Sequence, residues 1–137
     1  MRTIFAVCVL VLTLSGCGAT AQDSAQEFKG EEQKVAATVE QLEDAARADE
    51  AGKVCTALLD DALLTTLKRQ GTNCTTAVKD AIADADNFDL TVDDVTISGD
   101  KATAKVVSGK GSEEKSDTLD LARDGSDWKI ASLRAAS

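Results

Sequence analysis

Four cysteines are the residues best suited to do chemistry in this chain, because the sequence contains no histidine and no tyrosine. General acid–base catalysis near neutral pH most often uses histidine, or a carboxylate or lysine whose pKa is shifted by burial. Serine and threonine here also lack the histidine that usually activates a hydroxyl nucleophile. The composition favours a protein that is not an enzyme and needs no cofactor. The enzymatic alternative is a pocket with a buried carboxylate as its base.

Residues 1–16 have the features of an export signal. Arg2 supplies a positive charge, and residues 3–14 are almost entirely apolar. An apolar run of this length falls within the roughly 7–15 residues of a signal peptide, whereas a membrane span needs about 20. Cys8 lies inside the run and is expected to act there as a small apolar residue. We therefore predict that residues 1–16 are removed on export.

The run Leu14-Ser15-Gly16-Cys17 closes this segment. It resembles the lipobox of bacterial lipoproteins, in which a diacylglycerol is attached to the cysteine thiol before cleavage. The resemblance implies a mature protein that begins at Cys17, carries palmitate-type chains and lies outside the cytoplasm, on the cell membrane or on an outer membrane. Each buried methylene contributes about 0.8 kcal/mol, so two chains give lasting attachment. The alternative is an ordinary secretory signal that ends near a cysteine.

Cys55 and Cys74 remain as the only pair once Cys8 is removed with the signal and Cys17 is acylated. Thiols outside the cytoplasm are readily oxidised, so we predict a disulfide between these two residues. Metal binding is the alternative, but two cysteines in a chain without histidine make a poor zinc site. The prediction is a structural disulfide and no metal site.

The chain is acidic, with 15 basic residues, 24 acidic residues and a formal net charge of −9. Removal of residues 1–16 takes away one charged side chain, Arg2, and makes the charge more negative by one unit. Such a surface is repelled by nucleic acid phosphates and by anionic lipid headgroups. We expect the charge to serve solubility and exclude nucleic acid as a partner.

The part of the chain after the lipobox divides into a tether and one domain. Residues 17–30 lack apolar periodicity and are predicted to be flexible, and residues 31–137 have the length of a single domain. Helical spacing of apolar residues predicts a helix over about 31–49 and a helical stretch over about 54–67, with a break at Asp60-Asp61 as an alternative. Gly71 is a candidate C-terminal cap, and Asn73 is a candidate N-cap for a third helix.

The second half of the domain has strand patterns. Apolar residues alternate along residues 88–97, and a one-residue shift at Asp93-Asp94 predicts a β-bulge. Turn signals at Gly99-Asp100, at residues 109–112 and at residues 124–125 separate this segment from three further strands. Helices followed by sequential strands predict an α+β fold with an antiparallel sheet.

This order of elements, with the ending DGSDWKI at residues 124–130, is similar to the nuclear-transport-factor-2-like superfamily and to small actinobacterial lipoproteins of that fold. The resemblance implies three N-terminal helices packed on a curved four-stranded antiparallel sheet, which together form a cone with an internal pocket. A cystatin-like arrangement with one main helix is the alternative. Members of the superfamily often dimerise through the exposed sheet face. The outer positions here are predicted to be polar, which favours a monomer: Thr103, Lys105, Thr118 and Asp120.

Two residues are candidates for the pocket. Trp128 is a candidate lining residue, although an isolated tryptophan at strand spacing is more often part of the core. Asp117 alternates with Leu119 and Leu121 and would face inward as the base of an enzyme, unless its place near the end of the strand leaves it in solvent. Enzymes that resemble this fold pair such a base with tyrosine, histidine or an acid. We expect a lipid-anchored, non-catalytic domain that binds a small apolar ligand or an envelope protein, with a purely architectural role as a further alternative.

Overall fold

The computed structural model describes residues 24–85, 88–109 and 111–135, with side chains described up to residue 132. Within these ranges the chain is an α+β domain in which four helices pack on a four-stranded antiparallel sheet, so the predicted fold class is confirmed. The predicted signal peptide and Cys17 lie outside the described residues. In the described part, no helix has the length and apolar character needed to cross a bilayer.

The helices occupy the first half of the domain. Helix α1 spans Gly30–Arg47, and α2 spans Ala51–Lys53 and continues as a π-helical turn over Val54–Leu58. Helix α3 spans Asp61–Arg69, and α4 spans Cys74–Asp84. The second predicted helical stretch is therefore divided at Asp60, which confirms the alternative of a break at Asp60-Asp61 and makes four helices in place of three.

The break between α2 and α3 ties the chain to the sheet. Asp60 has extended backbone angles, and its side chain accepts a hydrogen bond of 2.7 Å from the backbone N–H of Leu63, which caps α3. The backbone N–H of Asp60 also donates to the carbonyl of Ile130, at 2.9 Å. This link to the last strand explains why the helical pattern stops at Asp60.

Two predicted caps bound the turn between α3 and α4. Gly71 has a φ of +73°, and its N–H donates to the carbonyl of Lys68, while the N–H of Thr72 reaches back to Leu67. This is the glycine-terminated helix end that the left-handed conformation allows. The side chain of Asn73 then accepts a hydrogen bond of 3.3 Å from the N–H of Thr76 and caps α4. Both cap predictions are confirmed.

The sheet is a meander in the order β1-β2-β3-β4. The strands are β1 over Leu90–Ser98, β2 over Lys101–Ser108, β3 over Lys115–Asp124 and β4 over Asp127–Ala135. The register shift between Val92 and Asp94 confirms the predicted bulge, and a second shift lies between Asp120 and Leu121. Bulges bend the strands that carry them.

The inner face of the sheet packs on α1 and forms the core. Val35 and Val39 of α1 have no exposed surface, and Leu121 of β3 is 1% exposed. Ala102, Ala104 and Val106 of β2 and Leu119 of β3 belong to the same cluster. The positions predicted to face outward on β2 and β3 are not buried.

The end of the predicted tether belongs to the folded domain. Ser24–Glu27 forms a 3₁₀ helix in which Ser24 and Ala25 are buried. The carboxylate of Glu40 accepts a hydrogen bond of 2.7 Å from the backbone N–H of Ala25, and the Ser24 hydroxyl accepts one of 3.3 Å from the N–H of Val92. The folded domain therefore includes residues from Ser24 onward, and the boundary at residue 30 is corrected. Periodicity missed this segment because a single 3₁₀ turn is too short to show a pattern.

Candidate functional site

A cavity of about 470 Å³ lies between the helices and the inner face of the sheet and is open to solvent. The described residues that line it are all apolar except Asp117. Helical and loop residues form one wall: Leu42, Ala46, Val54, Leu59, Leu63, Leu67, Ala77, Val78, Ala81, Ile82 and Phe88. Sheet residues form the other: Leu90, Val106, Asp117, Leu119 and Ile130.

Helices α3 and α4 cover this cavity without filling it. Neither helix, both described along their full length, contains a buried residue. Leu63, Leu67, Val78 and Ile82 are half-buried and line the cavity. Each helix presents an apolar side to the domain, but that side meets open space where a fully packed core would place other side chains. The apolar side of each helix therefore forms the wall of an open cavity.

The predicted disulfide fixes one end of this cover. Cys55 of the π-helical turn and Cys74, the first residue of α4, are bonded with their Cα atoms 6.1 Å apart. The pairing inferred from the sequence is thus confirmed. A bridge that closes a loop of this size stabilises a fold by roughly 3 kcal/mol in the chain-entropy model. Because α4 has no buried residue, this bond contributes to its position where packing contributes little.

Asp117 is the one ionisable residue that lines the cavity among the residues described there. It alternates with Leu119 and Leu121 on β3 and pairs with Val106 on β2, which puts it on the inner face of the sheet. It is also half-buried, near the beginning of β3. Both expectations for this residue are met in part, since it faces the cavity and still reaches solvent.

A polar hollow of about 790 Å³ adjoins the cavity at Asp117. Phe88, Leu90 and Asp117 line both spaces. The hollow is completed by residues from the end of α4, from β2, and from the beginning of β3 and the segment before it: Asp84, Ala85, Ser108, Glu113 and Lys115. An occupant of the apolar cavity would therefore meet a charged region that is open to solvent at this end.

Trp128, the predicted candidate for the pocket, is not part of the cavity lining. It is 3% exposed, and its indole N–H donates a hydrogen bond of 3.1 Å to Glu31. The guanidinium of Arg123 lies 4.5 Å from the ring centroid and forms an ion pair of 2.8 Å with the same glutamate. Trp128 borders a separate recess of about 300 Å³. It holds α1 against the β3–β4 hairpin and belongs to the core cluster. This is the alternative expected for an isolated tryptophan at strand spacing.

Two glutamates of α1 have opposite pKa shifts. Hydrogen bonds from Lys34, Trp128 and Arg123 hold the pKa of Glu31 at about 2. Burial raises the pKa of Glu43, although Arg47 at 2.5 Å and the backbone N–H of Leu90 oppose the shift. Neither glutamate lines the apolar cavity, so both groups connect α1 to the sheet and are not candidates for chemistry there.

Glu43 is the buried charge that the sequence analysis missed. It follows Val39 by four residues and precedes Ala46 by three, which places it on the apolar stripe of α1. Arg47 follows Glu43 by four residues, and this spacing of opposite charges could have predicted an ion pair on the helix. Within the described residues, no group of histidine, cysteine, aspartate or glutamate side chains could hold a metal ion.

Comparison with known proteins identifies no family and one distantly similar structure. No family model matches the chain, and no curated protein matches it. The solution structure of a SEC-C motif containing protein from Rhodopseudomonas palustris is similar with a TM-score of 0.41 and 15% sequence identity, over 77% of this chain and 74% of that one. A likeness this distant carries no argument about function. The lipobox and the nuclear-transport-factor-2-like resemblance stay predictions.

Proposed function

We propose that this protein is a lipid-anchored, extracytoplasmic binding protein that holds a small apolar ligand in the cavity under α3 and α4. The observation that carries the proposal is the cavity itself, with an apolar lining and a volume within the roughly 300–1,000 Å³ of small-molecule sites. Burial of apolar ligand surface supplies affinity at about 25 cal/mol per Å², less the entropy lost on association. The small apolar ligand is favoured over an envelope protein because the apolar surface lies inside a concave site.

The extracytoplasmic location is supported by two independent features. The Cys55–Cys74 disulfide is typical of proteins that fold in oxidising compartments. The lipobox at Leu14-Ser15-Gly16-Cys17 supplies the acylation site. Acidic charge keeps the domain away from anionic headgroups while the lipid holds it at the surface.

The anchor is tested by replacing the cysteine that would be acylated. In the Cys17→Ala variant we expect no incorporation of a labelled palmitate analogue and loss of the protein from the membrane fraction. The Cys8→Ala variant is the control and should behave as the parent does. Unchanged membrane partitioning of Cys17→Ala would remove the lipid anchor from the proposal and leave the binding cavity to be judged separately.

The cavity is tested by filling it. The mature chain, residues 17–137 with Cys17→Ser so that no acyl chain is attached, is titrated with N-phenyl-1-naphthylamine, a neutral dye that fluoresces in apolar surroundings. We expect saturable binding to this parent and at least tenfold weaker binding to Ala77→Trp, because residue 77 lines the cavity. Ala83→Trp is the matched control, since Ala83 is exposed on the same helix and outside the lining.

Two outcomes would contradict the binding proposal. Absence of saturable dye binding to the parent would mean that the cavity does not accept apolar molecules. Equal binding by Ala77→Trp and Ala83→Trp would place the dye elsewhere. A circular dichroism spectrum of each variant confirms that the fold is retained before binding is compared.

An enzyme with Asp117 as its base is the second candidate, favoured by the carboxylate in an otherwise apolar lining. General acid–base chemistry needs a further group to donate a proton or stabilise developing charge. The described lining offers no second polar side chain for that role. This candidate therefore ranks below binding.

A further inference from the structure

We infer that the ligand is an amphiphile whose apolar body occupies the cavity and whose cationic head group contacts the carboxylate of Asp117. This inference rests on the proposed binding function and adds the chemical class of the ligand. It follows from the position of one charged side chain at the junction of two differently lined spaces.

The junction fixes where a head group would lie. Asp117, Phe88 and Leu90 border both the apolar cavity and the polar hollow beside it. A ligand that filled the cavity with hydrocarbon would therefore place any polar end next to Asp117. A ligand without a polar end would leave this carboxylate against an apolar surface, where loss of hydration is unfavourable.

The negative charge at the junction favours a ligand whose head group is positively charged. The described lining of the hollow contains three acidic residues, Asp84, Glu113 and Asp117, and one basic residue, Lys115. Within the described residues, no ion pair joins Asp117 to a cationic side chain. An anionic head group, such as that of a fatty acid, would meet repulsion from a net excess of negative charge. A protonated amine would instead form a charge-assisted hydrogen bond with Asp117.

Phe88 adds a second contact that favours a cation. Its half-buried ring borders both spaces beside Asp117. The face of an aromatic ring attracts an ammonium group within about 6 Å of its centroid. A carboxylate and an aromatic ring at one junction favour a cationic head group over a neutral hydroxyl. A hydroxyl carries no net charge, so it gains little electrostatic attraction from either group.

The test compares three probes that share one apolar chain. Dodecylamine, dodecanol and dodecanoic acid compete against N-phenyl-1-naphthylamine for the same Cys17→Ser mature chain, at pH 7 and below the critical micelle concentration of each probe. We expect dodecylamine to displace the dye at a concentration at least tenfold lower than dodecanoic acid, with dodecanol between them. In Asp117→Asn the amine-to-acid ratio should fall to about threefold or less, and in Asp117→Glu it should persist.

Asp80→Asn is the charge-matched control, since Asp80 is exposed on α4 and lines neither space. It removes the same unit of charge and should keep the tenfold ratio. Unchanged dye affinity in Asp117→Asn shows that the cavity is intact in that variant.

The results separate this inference from the proposed function. Equal displacement by the amine and the acid, or a preference that survives in Asp117→Asn, would overturn the head-group assignment while apolar binding stands. Loss of the preference in Asp80→Asn as well would trace it to net charge and would also overturn the assignment. Failure of the parent to bind the dye would remove the proposed function and this inference together.

Discussion

The two helical regions of this domain have similar apolar patterns but opposite packing. Helix α1 buries Val35, Val39 and neighbouring residues against the sheet, whereas α3 and α4 contain no buried residue. The first region is a close-packed core, and the second covers an open cavity. An amphipathic helix in a sequence therefore specifies a side that avoids water without specifying what fills the space beneath it.

The two regions are also held by different kinds of bond. Helix α1 is joined to the rest of the domain by the Glu31–Arg123 and Arg47–Asp89 ion pairs in addition to its packing. Helix α4 depends on the covalent link between Cys55 and Cys74. A covalent attachment at one end leaves the remainder of α4 less constrained, which suits the proposed entry of a ligand beneath it.

A matched pair of leucine truncations measures the difference between the regions most directly. Leu121→Ala removes a side chain that is 1% exposed in the core, and buried leucine truncations cost about 2–5 kcal/mol. Leu67→Ala removes a half-buried side chain that borders the cavity, so we expect about 1 kcal/mol or less. The free energies of unfolding are measured by urea denaturation. Equal losses in the two variants would show that α3 is packed as tightly as the core.

The regular parts of the fold were predictable because local rules decide them. Strand β2 spans residues 101–108, between the turns predicted at Gly99-Asp100 and at residues 109–112. The bulge lies at the predicted shift, and Asn73 caps α4 as its side-chain chemistry requires. Turn and cap residues act on neighbouring backbone groups, so their effects can be derived without knowledge of the tertiary structure.

The cavity and the start of the folded domain at Ser24 were not predictable by the same rules. Alternation placed Asp117 on the same face as Leu119, but the strand pattern contains no information on how far α3 and α4 stand from the sheet. The burial of Ser24 depends on hydrogen bonds with Glu40 and Val92, which are distant in the sequence. Long-range arrangements of this kind follow from the packing of whole elements, and a single sequence does not display them.

The acid sensitivity of the α1 region gives the smallest of the expected effects. Because the pKa of Glu31 is about 2 in the folded protein and near 4.5 in its unperturbed state, the stability that this group contributes is present above pH 4.5 and is lost as the pH falls toward 2. Its partners are Lys34, Trp128 and Arg123, so protonation would weaken the contact between α1 and the β3–β4 hairpin. In Glu31→Gln we expect a smaller decline of the unfolding free energy between pH 4.5 and 2, measured by urea titrations across that range.

Glu32→Gln is the matched control for this pH effect, since Glu32 is the exposed neighbour on the same turn of α1. It should reproduce the pH profile of the parent. If both variants kept the same decline, the acid sensitivity would belong to other carboxylates, and the hydrogen bonds of Glu31 would add nothing to the closely packed region. A decline reduced only in Glu31→Gln, with dye binding in the cavity unchanged at pH 7, would show that the region held by Glu31 and the region that forms the cavity can be perturbed separately.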